Sequence, residues 1–183
     1  MKAVVGLGNP GKRYERTRHN LGRMAVRAFL SRLAGVAKQE HDFSVIYRVG
    51  ETLVVEPSVY MNLSGISVEE VCERCSVTPQ ELLIVYDDYS LPFGVMRAKA
   101  QGGAGGHHGM LSIIEALQTQ EIPRLKLGIG SEQPLSELAD YVLEEFSEDE
   151  AKQLSEFLAR AAAAIGCFVE SDIETVMNRF NLS

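Results

Sequence analysis

MKAVVGLGNPGKRYERTRHN, residues 1 to 20, runs from a short apolar stretch at Ala3, Val4 and Val5 through a glycine-rich turn into a basic segment that closes on His19 and Asn20. An apolar run followed by a glycine turn is how a buried strand feeds a loop, and it sets the expectation of an α/β chain. The rest of the sequence keeps this rhythm. Residues 21 to 34 place Leu21, Met24, Ala25, Ala28, Phe29 and Leu33 at helical spacing, with Gly35 as the stop. Residues 43 to 49 and 52 to 55 flank Gly50-Glu51 as a hairpin, so part of the sheet is expected to be antiparallel. A helix over 66 to 75 and a capping box at Thr78-Pro79-Gln80-Glu81 lead into residues 82 to 86, apolar throughout like a central strand covered on both faces. Strands over 95 to 100 and 125 to 129 frame a glycine-rich loop and a helix over 110 to 117. The remainder reads as helical: 136 to 146, then 147 to 167 capped by Ser147 with Glu150, then a last helix signalled by Ser171 with Glu174.

The 183 residues, 45% apolar and 23% charged, suit one folded domain, and a chain near this size buries about 70% of its unfolded surface. The longest apolar run, residues 161 to 169, is too short to cross a bilayer. Gly6, Pro10 and Arg13 interrupt the N-terminus before a signal-peptide core forms, so the expectation is a cytoplasmic protein with no membrane partner. Three cysteines argue against a disulfide framework. Cys72 and Cys75 form a CxxC pair inside a predicted helix, where buried thiols are the simpler reading than a redox or zinc site.

The net charge of −7 conceals an asymmetry. Residues 1 to 48 carry ten Lys and Arg against three acids, whereas residues 132 to 174 carry twelve acids against Lys152 and Arg160. One end of the sequence can therefore meet a polyanion, although ordinary surface charge would read the same way.

Gly6-Leu7-Gly8-Asn9-Pro10-Gly11 has the G-x-G-x-x-G spacing of a dinucleotide loop. The charged residues Lys12 to Arg16 that follow show no apolar helix face, and no acid is well placed for a ribose, which argues against that cofactor. What the loop offers instead is the Asn9 amide beside approachable backbone, phosphate-binding forks at Arg13, Arg16 and Arg18, and one proton carrier, His19. Asp87 and Asp88 end the central strand, where open α/β sheets bind ligands. An aspartate there can orient a histidine as general base, and Asp87 is preferred because it lies nearer the strand. Five glycines among residues 102 to 109 surround His107 and His108 ahead of a helix and suit an anionic or carbonyl-bearing ligand. Adjacent histidines point apart and no carboxylate spacing supports them, so no metal is expected. Neither a G-x-S-x-G elbow nor a Walker loop is present, and the Asn62-Leu63-Ser64 and Asn181-Leu182-Ser183 sequons carry no weight in the cytoplasm.

Taken together, these blocks resemble the bacterial-type peptidyl-tRNA hydrolases. The resemblance rests on residues 5 to 11, on Tyr14, on Thr17-Arg18-His19-Asn20 and on Tyr60-Met61-Asn62-Leu63-Ser64-Gly65. It continues through Asp87, Leu91-Pro92, the glycine loop to Gly109, Arg124-Leu125 and Leu127-Gly128-Ile129-Gly130. It implies one three-layer α/β/α domain over residues 1 to 183 with a mixed, mostly parallel central sheet. It further implies a monomer without cofactor, metal or obligate protein partner that hydrolyses the ester of peptidyl-tRNA. His19 would be the base, Asp87 its orienting acid and Asn9 a further catalytic amide. Tyr14, Tyr60, Asn62 and His108 would bind substrate, and Lys99 and Lys126 would grip tRNA phosphate. Since similar plant proteins kept the fold and became splicing factors, a catalytically inactive RNA-binding relative is the alternative. Retention of His19, Asp87, Asn9 and Asn62 together favours the enzyme.

Three positions depart from the family pattern: His108 stands where Asn is common, Ala104-Gly105 replaces Gly-His, and Tyr89-Ser90 lacks a usual acid. An unperturbed imidazole titrates near pH 6.5, so His108 should make turnover pH-sensitive below about 6.5 where an amide would not. Comparing turnover from about pH 5.5 to 8 in the wild type and His108→Asn tests this; superimposable profiles would refute it.

Overall fold

The apolar run at residues 82 to 86 opens β5 (Leu82–Pro92), whose Leu83 and Val85 enter one hydrophobic core while Leu82, Ile84 and Tyr86 enter a second on the opposite face. A strand covered on both sides needs no polar alternation, and its sequence shows none. The computed structural model describes residues 1–130 and 138–181. Around β5 it arranges β1 (Lys2–Gly6), β2 (Ala37–Glu40), β3 (Ser44–Val49), β4 (Thr52–Pro57), β6 (Met96–Lys99) and β7 (Arg124–Gly130) into one sheet of order β2-β3-β4-β1-β5-β7-β6. The central strands β4, β1, β5 and β7 run parallel, and antiparallel pairings lie at the two margins. The hairpin read from sequence is β3–β4. Strand β2 was not foreseen, because AKQE is polar and its residues are all exposed.

On one face lie α1 (Leu21–Leu30), α5 (Glu148–Glu170) and α6 (Ile173–Phe180), packed on Val4, Val54, Leu83, Val85, Leu125 and Leu127. On the other, α2 (Ser64–Cys75) and α3 (His108–Leu117) cover Val5, Leu53, Ile84 and Tyr86. A short helix, α4 (Leu138–Leu143), sits beside the turn that precedes α1. Cys72 and Cys75 fall on α2, half-buried, and burial pushes the Cys72 thiol up to about 11, an inert state. None of the described helices is long and apolar enough to cross a membrane.

Both predicted capping boxes are present, Thr78 with Glu81 and Ser147 with Glu150. The last helix corrects the third: its cap is Asp172, whose carboxylate accepts from the Thr175 amide at 2.8 Å, and Ser171 instead donates its hydroxyl to the Cys167 carbonyl. An ionised oxygen at an N-terminus also meets the helix dipole, which a serine cannot. Residues 136 and 137 of the predicted helix, and the end of the second sequon, lie outside the described residues.

Parallel β4, β1 and β5 release their loops at the same sheet edge, so the first loop, the Tyr60–Asn62 stretch and Asp87 are carried to one crevice. Close approach makes this possible. A Cβ at Gly22 would collide with the Val85 carbonyl and crowd the Leu7 amide, so a glycine is needed where α1 begins against β1 and β5. Gly22→Ala should lower the unfolding free energy by about 2 kcal/mol, despite the roughly 1 kcal/mol gain in helix propensity. Urea denaturation measures the shift.

Candidate active site

Asp87 lies at the crevice, 3% exposed, and its carboxylate faces two imidazoles. His19 Nδ1 stands 3.0 and 3.1 Å from its two oxygens, and His107 Nε2 stands 3.1 Å from Oδ1. The remaining bond of His107 settles its tautomer. Its Nδ1 accepts the Met110 amide at 3.1 Å as the N-terminal cap of α3, so Nε2 carries the proton and donates to Asp87. A carboxylate only accepts, so His19 donates through Nδ1 as well, which in the neutral ring leaves Nε2 as the acceptor. Burial alone would raise the Asp87 carboxyl, but His19 and His107 hold it far below the usual carboxylate range. The crevice therefore contains an imidazole nitrogen prepared to take a proton.

His19 sits in a single 3₁₀ turn, Arg18–Asn20, and its neighbour Asn20 ties that turn to the first loop. The Asn20 side chain accepts from the Asn9 amide at 2.8 Å and donates to the Asn9 carbonyl at 2.9 Å, as a neighbouring strand would. Asn9 Oδ1 in turn accepts from the Met61 amide at 2.8 Å, which anchors the 3₁₀ turn Met61–Leu63 and the exposed Asn62 beside it. With Oδ1 engaged, Asn9 presents its Nδ2 hydrogens, which have no partner among the described residues. Tyr14 and Tyr60 meet edge to face, ring centroids 6.4 Å apart, and Arg13 lies over Tyr14.

His19, Asp87 and His108 line one cleft of about 530 Å³, between the glycine loop and α4. Leu138, Ala139, Val142 and Leu143 form its apolar wall. His108 is exposed, and it is the adjacent His107 that bonds Asp87. Sequence reading assigned His108 and passed over His107; the available signal was a histidine immediately before a helix, where a ring nitrogen can cap. Asn20 and Arg124 were also missed. Arg124 is fully buried and donates to the carbonyls of Ile122, Gly103 and Gln120 at 3.1, 2.9 and 3.1 Å, and so pins the base of the glycine loop.

The predicted cations divide. Lys99 is exposed on β6, opposite Arg124 in register. Lys126 lies under the glycine loop but is paired with Asp88 at 2.6 Å, so it meets any anion already half-neutralised. Arg18, expected as a phosphate fork, is instead buried against Glu150 and Glu144, because the acidic C-terminal segment folds over it. Arg13 and Arg16 are exposed.

His19, Asp87 and His107 also offer three donor atoms within 4.8 Å of one another, the one such cluster among the described residues. Its hydrogen bonds account for it without a cation. A metal on His107 Nε2 would force the proton onto Nδ1, against the Met110 N–H that already points there.

Known proteins resemble this chain along its whole length. Residues 3–183 match the family described as peptidyl-tRNA hydrolase. The peptidyl-tRNA hydrolase of Syntrophomonas wolfei is 43% identical, with 99% of this chain and 100% of that protein covered. That of Symbiobacterium thermophilum is 41% identical, with 98% of each covered. The crystal structure of the Acinetobacter baumannii peptidyl-tRNA hydrolase superposes with a TM-score of 0.90 at 28% identity, covering 100% of this chain and 95% of that one.

A carboxyl held below its ordinary value adds stability that is complete above its unfolded pKa, about 3.9, and is lost as pH falls towards the folded value. Asp87→Asn should therefore unfold more easily than the wild type at about pH 5, and the gap should narrow by about pH 3. Urea titrations across that window read the difference; a constant gap would mean the carboxylate draws no stability from its neighbours.

Proposed function

The chain belongs to the peptidyl-tRNA hydrolase family, and we propose that it hydrolyses the ester of peptidyl-tRNA with His19 as general base, working without metal or cofactor. The observation that carries this reading is the His19–Asp87 pair at 3.0 Å, opening onto a cleft. Nε2 takes a proton from water as the oxygen attacks the ester carbonyl. The tetrahedral intermediate then collapses, the carbon–oxygen bond to the ribose breaks, and the imidazolium returns the proton to the departing ribose oxygen. Asp87 stabilises the imidazolium and never needs the proton itself. Asn9 Nδ2 and the amide of Asn62 supply donors for the carbonyl oxygen and the peptide backbone.

An ester with an alcohol leaving group makes smaller demands than an amide, so one base, one orienting acid and amide donors suffice. Tyr14, Tyr60 and His108 border the reacting ester and its terminal nucleotide. For the tRNA, Lys99 and Lys126 supply positive charge on one face of β6–β7. Arg97 lies opposite Lys126 there and Arg124 opposite Lys99. Such phosphate contacts are independent of base sequence and weaken with salt. The chain acts as one domain and a monomer in the cytoplasm, where peptidyl-tRNA arises.

Hydrolysis of an N-blocked aminoacyl-tRNA tests the reading. The wild type should release the blocked amino acid, and His19→Ala should lose roughly 10²- to 10⁴-fold in kcat while still binding tRNA. Binding without turnover in the wild type would instead establish an inactive RNA-binding relative.

A further inference from the structure

The residue before His19 is as deeply anchored as any in the crevice. Arg18 has a side chain 6% exposed, and its side-chain polar contacts run to Glu144, Glu145 and Glu150, where α4 gives way to α5. Its amide donates to the Glu144 carbonyl at 3.0 Å, Nη1 donates to the Glu145 carbonyl at 2.7 Å, and Nη2 pairs with Glu150 Oε2 at 2.7 Å. Glu144 lies 3.6 Å from Nη1, and Thr17 bridges to Glu145. The guanidinium also lies over the Tyr141 ring at 4.2 Å, and that ring meets Tyr89 edge to face.

These contacts bear on both sides of the cleft. Leu138, Ala139, Val142 and Leu143 of α4 line it, while Tyr141, on the buried side of the same helix, rests on Arg18 and donates its hydroxyl to the Ile129 carbonyl at 2.6 Å. Glu150 is a firm anchor because it also accepts the Ser147 amide at 2.7 Å, capping α5. The planar fork reaches a carbonyl and a carboxylate on separate residues while stacking on a ring; a lysine ammonium cannot do all three. We propose that Arg18 is a positioning residue that clasps the α4–α5 junction to the His19 turn, setting the place of Nε2 and the width of the cleft together. This rests on the reading of His19 as the base. Arg18 would act through His19 and α4, without touching substrate.

The variants that test it are Arg18→Lys, which keeps the charge, and Glu150→Gln, which keeps size and capping. Both would be assayed with N-blocked aminoacyl-tRNA, and their imidazole ¹H–¹⁵N signals recorded. Arg18→Lys should lower kcat roughly ten- to a hundredfold, as small misplacements of a base do, and raise KM. Its His19 Nδ1–H signal should shift or broaden, while the His107 Nε2–H signal, held from the glycine loop, stays in place. Glu150→Gln should change the same quantities less, and the double variant should be no worse than Arg18→Lys alone. Unchanged kcat and an unchanged His19 signal in Arg18→Lys would overturn the proposal, whatever happened to Tm. If Arg18→Lys does not fold, the same two readouts in Glu150→Gln decide. Turnover surviving His19→Ala would overturn the assignment of the base instead, a result distinct from either.

Discussion

A buried carboxylate is costly unless donors surround it, and Asp87 is the group on which the crevice depends. Its donors are not local. His19 lies 68 residues away and His107 lies 20 residues away, each on a loop with little apolar surface of its own. The strand runs on past Asp87 to Pro92, and the charge is tolerated there, just beyond the last residue paired with β1, because the first loop and the glycine loop converge on it. The same convergence fixes both tautomers, so the requirement that makes the site stable also leaves His19 Nε2 free to act as a base.

The two cores hold strands and helices, but the loops are held by polar groups that find backbone partners. Asn20 occupies the amide and carbonyl of Asn9, and Asn9 occupies the Met61 amide, so the loops after β1 and β4 become one structure. Arg124 does the same for the glycine loop through three carbonyls. Glycine-rich segments can approach a substrate closely because they lack side chains, and for that reason they need such external anchors. Tyr86 joins the two systems: its ring packs against His107 at 4.7 Å and burial pushes its hydroxyl up to about 12, keeping it neutral beside the Asp87 charge.

Charge is divided in the same spirit. The basic excess of the first 48 residues reads as a field for a polyanion, yet much of it is internal. Arg18 is matched by Glu150, Arg23 and Arg27 by Glu56, and Lys2 by carbonyls at the end of α5. The exposed remainder of that stretch is Lys12, Arg13, Arg16 and Arg32, with Lys38 paired to Glu40. The acidic C-terminal segment serves partly to neutralise Arg18, the residue beside His19, so the two halves of the charge asymmetry meet inside the molecule.

By itself the sequence determined the α/β alternation, the doubly covered central strand, the β3–β4 hairpin, two capping boxes and the residue types at the crevice. These follow from periodicity, turn chemistry and short-range spacing, which are local properties. It could not show β2, whose polar residues form a strand only because β3 offers an edge. Nor could it choose between His107 and His108, adjacent residues whose roles depend on which way α3 turns each ring. It misread Arg18, since whether a guanidinium meets solvent or an acid 132 residues later depends on packing alone. Only the tertiary structure decided which donors reach Asp87, because a buried charge is satisfied by whatever the fold brings within 3 Å, without regard to separation along the chain.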